Sequence, residues 1–261
     1  MSIRFDHVSK SFEGKKILTD LSFEVAKGEI LFILGKSGMG KSVTLKHMVG
    51  VMKPNSGRVF VDNEEVTAMD DDELASVRRK CGMVFQHPAL LDSLSVYENV
   101  AFGLRTPQFQ SAQPESLGED EIRKRVVDTL ALVNLGSDVL KRMPPEISYG
   151  MQKRVSLART LAPGPSYLLF DEPTTGLDPI TTNAVNDLIL GLSHKLQVTS
   201  VVVSHDMMCA LKIADRILVL HQAQILALGT VADIKKSKEP LIQDFLSETL
   251  ALLAPEERGY P

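Results

Sequence analysis

The sequence predicts an α/β protein in which a largely parallel sheet is covered by helices and interrupted by a helical insert. Short apolar runs alternate with helix-like segments near both ends of the chain. From Pro88 to about Pro145 the pattern is helical only, and a glycine-rich loop near the start joins an apolar run to a helix-like segment. Alternation of this kind favours a parallel sheet, because neighbouring parallel strands need a long crossover connection.

The first segments predict two strands joined by a turn. Residues 3–8 alternate apolar and polar side chains, residues 18–25 form a second strand candidate, and residues 13–15 are the turn between them. Phe12 lies in this region. From its position alone, Phe12 is either an ordinary half-exposed aromatic residue or a platform on which an adenine stacks.

A phosphate-binding loop is predicted where the apolar run 29–34 meets the helix-like segment 42–49. The sequence GKSGMGKS matches G-x-x-x-x-G-K-[ST] through Gly35, Gly40, Lys41 and Ser42. Glycines let backbone N–H groups turn inward, and the helix N-terminus adds unpaired N–H groups. Lys41 is expected to reach the β- and γ-phosphates, and the Ser42 hydroxyl to bind Mg²⁺. The alternative, a surface turn that matches by chance, is disfavoured by the flanking strand and helix.

The remaining elements follow in order. Strands are predicted at 58–61, 81–85, 167–170, 198–203 and 216–220, and helices at 70–79, 96–104, 120–135, 152–161, 181–192, 207–213 and 241–253. Residues 106–118 are polar and contain proline, so they are predicted to be an exposed loop. The last helix, with Leu241, Phe245 and Leu246 on one side, either packs on its own domain or reaches a neighbouring subunit.

Composition limits the class of protein. A chain of 261 residues with 44% apolar residues can build one α/β domain with a subdomain, or two small domains. Its net charge of −4 argues against a nucleic-acid partner. Cys81 and Cys209 are expected to be buried free thiols. The N-terminus lacks the apolar core of a signal peptide, and no apolar run approaches the ~18 residues of a membrane span, so a soluble cytoplasmic protein is expected.

Acidic and histidine side chains at strand ends suggest the chemistry. Asp171 and Glu172 end an apolar strand; the first is expected to orient Mg²⁺ and the second to polarise an attacking water. The alternative is a pair of solvated acids in a loop. His205 follows the strand 198–203, where it can contact a γ-phosphate, although a lone histidine is usually structural. Ser148 and Gly150, just before a helix, can bind phosphate as the first loop does.

These motifs resemble those of the ATP-binding subunits of ABC transporters, and the resemblance covers nearly the whole chain. The matching positions are Phe12 (adenine-stacking aromatic), residues 35–42 (Walker A), Gln86 (Q-loop), residues 148–151 (signature), Asp171 and Glu172 (Walker B and catalytic carboxylate), Asp178 (D-loop) and His205 (switch histidine). The resemblance implies a P-loop NTPase (RecA-like) core with an N-terminal antiparallel β subdomain and an inserted α-helical subdomain. It divides the chain into one ATPase domain, residues 1–235 (core 1–87 and 153–235, helical subdomain 88–152), and a helical tail, residues 236–261.

The resemblance also implies an ATPase with ATP and Mg²⁺ at its site. The implied catalytic residues are Glu172, His205 and Lys41; the implied ATP contacts are Phe12, Gly35, Lys36, Ser37, Gly38, Met39, Gly40, Lys41, Ser42, Val43, Gln86, Ser148, Gly150 and Asp178; and the implied Mg²⁺ residues are Ser42, Gln86 and Asp171. The implied assembly is a head-to-tail homodimer that sandwiches ATP between the Walker A loop of one copy and the signature of the other. A membrane permease would dock near Gln86, on the cytoplasmic face of the inner membrane.

One position departs from the family pattern. Tyr149 occupies the place of the first glycine of the signature, which usually reads Leu-Ser-Gly-Gly-Gln. If that position required a positive φ, a tyrosine there would be strained and hydrolysis would be slower than in relatives. An active enzyme is still expected because Ser148 and Gly150 are present.

The branch of the family is suggested by residues 89–102 and 178–181 and by Met151. These are similar to the ATPases of Mce/Mla-type lipid transporters, which implies phospholipid transport and a lipid-binding Mce subunit as a further partner. Three alternatives stay open: another ABC importer or exporter, an ABC ATPase that acts outside transport, and a regulatory subunit that binds ATP but hydrolyses little.

Overall fold

The computed structural model of the protein describes residues 2–113 and 115–253. The strands are β1 (Ile3–Phe12), β2 (Lys15–Val25), β3 (Ile30–Leu34), β4 (Ser56–Val61), β5 (Glu64–Glu65), β6 (Cys81–Val84), β7 (Tyr167–Asp171), β8 (Thr199–Ser204), β9 (Arg216–His221) and β10 (Gln224–Thr230). The α-helices are α1 (Lys41–Met48), α2 (Asp71–Lys80), α3 (Val96–Ala101), α4 (Pro107–Gln110), α5 (Glu119–Leu132), α6 (Tyr149–Leu161), α7 (Pro179–Leu196), α8 (Met207–Ile213), α9 (Val231–Lys236) and α10 (Pro240–Leu253). The end of the predicted tail, residues 254–261, lies outside the described residues.

The central sheet brings the predicted site residues to one edge. Its order is β10-β9-β3-β8-β7-β6, parallel except for β10, which pairs antiparallel with β9. Leu34 at the end of β3 pairs with Ser204 at the end of β8, and Asp171 at the end of β7 pairs with Val203. The loops that leave β3, β7 and β8 therefore start side by side at the carboxyl edge of the sheet, where open α/β sheets bind their ligands.

Every residue of strand β3 is apolar, because a hydrophobic core covers each face of the sheet. All its residues are buried. Ile30, Phe32 and Leu34 pack into one hydrophobic core, while Leu31 and Ile33 pack into the other. This alternation follows from the two-residue period of a strand, and it fixes the register in which β3 delivers the glycine-rich loop.

The predicted N-terminal strand pair is present and is part of a second sheet. Strands β1 and β2 pair antiparallel, and the sheet has the order β2-β1-β4-β5. Phe5 and Phe23 stack across the pair with ring centroids 4.5 Å apart. Both strands are longer than the apolar alternation suggested, since the pairing passes through irregularities that break the alternation beyond Phe5.

Among the described residues, the segment between β6 and β7 contains helices and turns but no strand, as predicted for the helical insert. The predicted helix 120–135 is present as α5, and Ile122, Val126 and Leu130 form its buried face. The predicted helix 96–104 is shorter, because α3 ends at Ala101 and a separate 3-10 turn, Gly103–Arg105, follows it.

The prediction of an exposed loop at 106–118 is wrong in its first half. Residues Pro107–Gln110 form the short helix α4, which starts at Thr106, whose hydroxyl accepts a hydrogen bond from Phe109 N. Phe109 is 7% exposed and belongs to the main core. The segment is polar apart from this one aromatic side chain, so its composition did not indicate a helix.

The C-terminal elements were only partly predicted. Strand β10 was missed, and α9 begins with a capping box between Thr230 and Asp233. Helix α10 is present. In its first part, residues 240–247, Leu246 is buried and Phe245 is partly buried, as predicted, and Ile242 rather than Leu241 is the other buried residue. No helix in the described part of the chain is long and apolar enough to cross a membrane. Cys81 and Cys209 are both free and buried, as expected.

Candidate active site

The glycine-rich loop needs glycine at both ends of its pattern. Gly40 has φ 92° and precedes α1, and a Cβ there would lie 2.7 Å from Leu18 Cδ2 and 2.8 Å from Ile17 O. A Cβ on Gly35 would lie 2.8 Å from Leu220 O. Both contacts are shorter than any real Cβ makes, so the tight packing of the loop against the two sheets excludes larger residues. The loop geometry predicted from the sequence therefore has a steric cause.

Lys41 is buried beneath this loop. Its Nζ donates to Gly35 O at 2.8 Å and to Lys36 O at 3.1 Å, and it lies 3.2 Å from Glu172 Oε1. The Lys41 side chain is 6% exposed. A buried ammonium needs a charged or strongly polar partner, and here the partners are two loop carbonyls and one carboxylate.

The Glu172 carboxylate joins the loop after β8 to Lys41. Its Oε2 accepts hydrogen bonds from Ser204 Oγ at 3.0 Å and Thr175 Oγ1 at 3.1 Å, and it lies 3.0 Å from His205 Nδ1. Because a carboxylate accepts, the proton of His205 is assigned to Nδ1. Glu172 has φ 48°, an uncommon backbone conformation for a residue with a side chain, and such strain clusters at functional sites.

The two acids differ in protonation behaviour. Burial alone would raise the pKa of Glu172, but the charge and hydrogen bond of Lys41, with His205 and Ser204, hold that pKa below its ordinary value. Burial and the neighbouring Glu172 charge raise the pKa of Asp171, and the hydrogen bond from Ser42 opposes them. Glu172 is therefore ionised at neutral pH and available as a proton acceptor.

Asp171 and Ser42 fit a magnesium ion. Ser42 Oγ donates to Asp171 Oδ1 at 2.7 Å, so two oxygen ligands stand together at the start of α1. Mg²⁺ prefers oxygen ligands and is usually held by one or two protein groups together with substrate phosphates and water. No group of three or more His, Cys, Asp or Glu residues within the described ranges could hold a metal by itself, which agrees with that mode of binding.

A cleft of about 1480 Å³ gathers most of the predicted residues. The predicted residues that line it are Phe12, Lys36, Ser37, Gly38, Gly40, Lys41, Ser42, Val43, Gln86, Glu172 and His205. Gly35, Met39 and Asp171 belong to the same loops but do not line the cleft. Phe12 is 43% exposed, so its ring is accessible at the cleft wall.

Ser148, Gly150 and Asp178 do not line this cleft. Ser148 caps α6 by accepting a hydrogen bond from Met151 N, and Asp178 caps α7 by accepting from Ile180 N and Thr181 N. A Cβ built on Gly150 would lie 3.5 Å from Thr181 Cγ2, so the starts of the two helices adjoin. Within one chain, Ser148 and Gly150 are not among the residues that line the cleft, whereas Leu177 and Pro179, on either side of Asp178, are.

The expected strain at Tyr149 is absent. Tyr149 is the first residue of α6 and is not among the residues with positive φ. The conditional expectation of a strained signature is therefore wrong, because this position takes the ordinary helical conformation that any residue adopts.

Several residues of the site were missed. Thr175 and Ser204 hold Glu172; Thr175 lies three residues after Glu172, and Ser204 directly precedes His205. Lys235 and Phe245, from α9 and α10, also line the cleft, and Lys36 Nζ lies 6.0 Å from the centre of the Phe245 ring. No pattern in the sequence connects residue 245 with residue 36, since only the fold brings them together.

Comparison with known proteins agrees with this geometry. Residues 18–175 match the family described as ABC transporter. The methionine import ATP-binding protein MetN of Carboxydothermus hydrogenoformans is 38% identical over 251 residues, which are 95% of this chain and 72% of that protein. The probable ribonucleotide transport ATP-binding protein mkl of Mycobacterium tuberculosis is 35% identical over 247 residues, 95% of this chain and 67% of the relative.

Solved structures are similar over most of the chain. The dimeric post-hydrolysis state of the ATP-binding cassette MJ0796, bound to ADP and Pi, has a TM-score of 0.78 and 31% identity, covering 88% of this chain and 98% of that one. The structure of cbiO1 from Clostridium perfringens, part of the transporter complex cbiONQ, has a TM-score of 0.80 and 27% identity, covering 97% of this chain and 98% of that one.

Proposed function

We propose that Glu172 activates the water that attacks the γ-phosphate. The premise is that the chain belongs to the ABC transporter family and is an ATPase that binds ATP with Mg²⁺. The observation that carries the proposal is the position of the Glu172 carboxylate, held between Lys41 and His205 at the mouth of the phosphate loop. A carboxylate that is ionised and fixed by several donors can accept a proton from water without moving far.

The other residues of the cleft would bind and stabilise charge. Backbone N–H groups of residues 35–42 and the Lys41 ammonium would bind the β- and γ-phosphates, and the Phe12 ring would stack on adenine. Ser42 and Asp171, with Gln86, would hold Mg²⁺, which neutralises phosphate charge when bound. His205, whose Nδ1 donates to Glu172, would contact the γ-phosphate through Nε2 when both ring nitrogens carry protons, because a ring protonated at Nδ1 alone has only a lone pair at Nε2.

ATP would release Glu172 from its resting ion pair. In the described conformation Lys41 is shared between loop carbonyls and Glu172. A γ-phosphate would compete for Lys41, since a doubly charged group attracts an ammonium more strongly than one carboxylate does. Glu172 would then accept the proton of water as the oxygen attacks phosphorus and ADP leaves.

The working unit would be a head-to-tail homodimer. Asp178 lies between two residues that line the cleft, Leu177 and Pro179, whereas Ser148 and Gly150 do not line the cleft of their own chain. These last two residues would therefore act on the ATP of a second copy, with Ser148 and the start of α6 facing its γ-phosphate. The MJ0796 relative, whose structure is described as dimeric, supports this arrangement.

A membrane permease would dock beside Gln86, which would bring the chain to the cytoplasmic face of the inner membrane. Phe85, 47% exposed, offers an apolar contact there. In this scheme residues 1–87 and 153–235 form the nucleotide core and residues 88–152 form the subdomain that carries the signature. Residues 236–253, the described part of the tail, pack against the core through Ile242.

The cargo is proposed from two different observations. The names of MetN and mkl favour an importer of small solutes, such as an amino acid or a nucleotide. Met151 and residues 89–102 resemble the Mce/Mla-type lipid ATPases and favour a phospholipid with a Mce subunit as partner. The relatives MetN and mkl give the importer of small solutes the stronger support. Purifying the complex from its native membrane and identifying co-purified solutes and lipids by mass spectrometry separates the two.

Steady-state hydrolysis of ATP tests the proposed catalytic role. The change is Glu172→Gln, which keeps the shape and removes the proton acceptor. We expect kcat to fall at least about a hundredfold while ATP still binds, because general base catalysis contributes about 10²–10⁴-fold. The matched control is Glu121→Gln on the exposed side of α5, which should hydrolyse as the wild type does. A Glu172→Gln variant that retains the wild-type kcat would refute the role.

A further inference from the structure

Tyr149 contacts the loop that carries Gln86. Its hydroxyl lies 3.4 Å from Nδ1 of His87, the residue directly after Gln86. Tyr149 is also the first residue of α6 and directly follows the helix cap Ser148. A single side chain therefore connects the two segments, and a glycine at this position could not make the contact.

The Tyr149 ring also contacts a lysine that is hydrogen-bonded to the loop that follows Glu172. Lys153 Nζ lies 5.5 Å from the centre of the Tyr149 ring, within the range of a cation–π contact. That ammonium donates to Pro173 O at 2.8 Å and to Thr175 O at 3.1 Å. Thr175 in turn donates to Glu172. Tyr149 thus stands where three functional segments meet.

The fold does not depend on this contact. Helix α6 is anchored by its buried face, which includes Val155 and Ala158. Arg159 adds hydrogen bonds to Ala89 O and Pro88 O farther along the same loop. Tyr149 itself is 39% exposed, and an exposed hydroxyl contact contributes little to folding. Because other contacts hold α6 in place, the stability of the fold does not explain the Tyr149–His87 hydrogen bond.

We propose that Tyr149 is a positioning residue for ATP hydrolysis. Its hydroxyl shares a hydrogen bond with His87 Nδ1 and so fixes the start of α6, with Ser148, relative to the Gln86 loop. The proposal rests on the function proposed for Ser148 and Gln86 above. Because Ser148 serves the second copy and Gln86 serves its own cleft, Tyr149 ties the two ATP sites of a dimer together.

The first variant is Tyr149→Phe, which removes the hydroxyl and keeps the ring over Lys153. We expect kcat to fall roughly three- to tenfold, the loss that one hydrogen bond accounts for. The KM for ATP should not change if chemistry is slow relative to ATP release, since Tyr149 does not line the cleft that binds the nucleotide. The matched control is Tyr97→Phe, which removes a similar contact, 3.5 Å from Glu119, and should leave kcat unchanged.

The second variant tests the partner. His87→Ala should lower kcat by about the same factor as Tyr149→Phe. The kcat of the double variant should be no lower than that of either single variant, because both changes remove the same hydrogen bond. Multiplying effects in the double variant would overturn the proposal. It would also be overturned if both single variants kept the wild-type kcat.

Hydrogen exchange supplies a readout that does not depend on turnover. In the protein with ATP, the amides of Gln86, His87 and Ala89 should exchange faster in Tyr149→Phe than in the wild type or in Tyr97→Phe. Unchanged exchange there would contradict the proposed link. Failure of the proposed function looks different: Glu172→Gln would then remain active whatever Tyr149→Phe does.

Discussion

At the scale of single residues, the site is a charge network that contains its own counter-ions. Glu172 contacts both the buried Lys41 and the exposed His205, while Ser42 donates to Asp171. A buried pair of this kind is costly to break by removing one partner, because the other charge is left without compensation. The pairing also keeps Glu172 ionised, so the base is already in its reactive protonation state before ATP arrives.

His47, on the inner face of α1, makes the stability of the protein depend on pH. It is 1% exposed, Nδ1 lies 2.6 Å from Met52 O, and Nε2 has no hydrogen-bond partner among the described residues. Since the carbonyl accepts, Nδ1 carries the proton and a second proton would put an unpaired charge in the core. Burial accordingly lowers the pKa of His47.

The expected consequence follows from linkage. Above a pH of about 6.5, the ordinary histidine pKa, His47 is neutral in both states and its contribution is complete. As pH falls from there towards the lowered pKa, the unfolded state binds a proton that the folded state does not, and the free energy of unfolding drops. We predict that this drop, measured by urea denaturation between pH 8 and pH 5, is smaller in His47→Gln. The exposed control His194→Gln should follow the wild type; equal slopes in all three proteins would refute the role of His47.

At the scale of elements, the sequence predicted what local chemistry decides and missed what tertiary packing decides. The loop between β3 and α1 was predicted because glycine, lysine and serine at fixed spacing have few other uses. Helix α4 was missed because its sequence is mostly polar, and strand β10 was missed although residues 225–228 are apolar. In α4, one buried ring supplies the stabilisation that the four-residue helix lacks by itself.

The helix α4 depends on that ring. We predict that Phe109→Ala lowers the free energy of unfolding by about 3 kcal/mol, the lower end of the cost of truncating a buried phenylalanine. Urea denaturation measures the change. Gln108→Ala, on the exposed side of the same helix, should cost close to nothing. If both variants had the same stability as the wild type, the segment would be the exposed loop that its composition suggested.

At the scale of the whole molecule, the residues predicted which motifs form the site, but only the resemblance indicated which of them meet within one chain. Strand β3 lies between β8 and β9, which come more than 160 residues later. Such long-range pairing leaves no local pattern, so the contact between Lys41 and Glu172 could be expected only by resemblance. The separation of Ser148 from the cleft was likewise expected only by resemblance, and it is the reason why we propose a two-chain site.

The measurement that tests this account most directly is the molar mass of Glu172→Gln in solution, by sedimentation, with and without ATP and Mg²⁺. This variant should bind ATP without hydrolysing it. The account predicts a monomer without ATP and a dimer with it, and it predicts that adding Ser148→Arg to the same chain abolishes the dimer while ATP binding remains. A Glu172→Gln protein that binds ATP to saturation and stays monomeric would contradict the account.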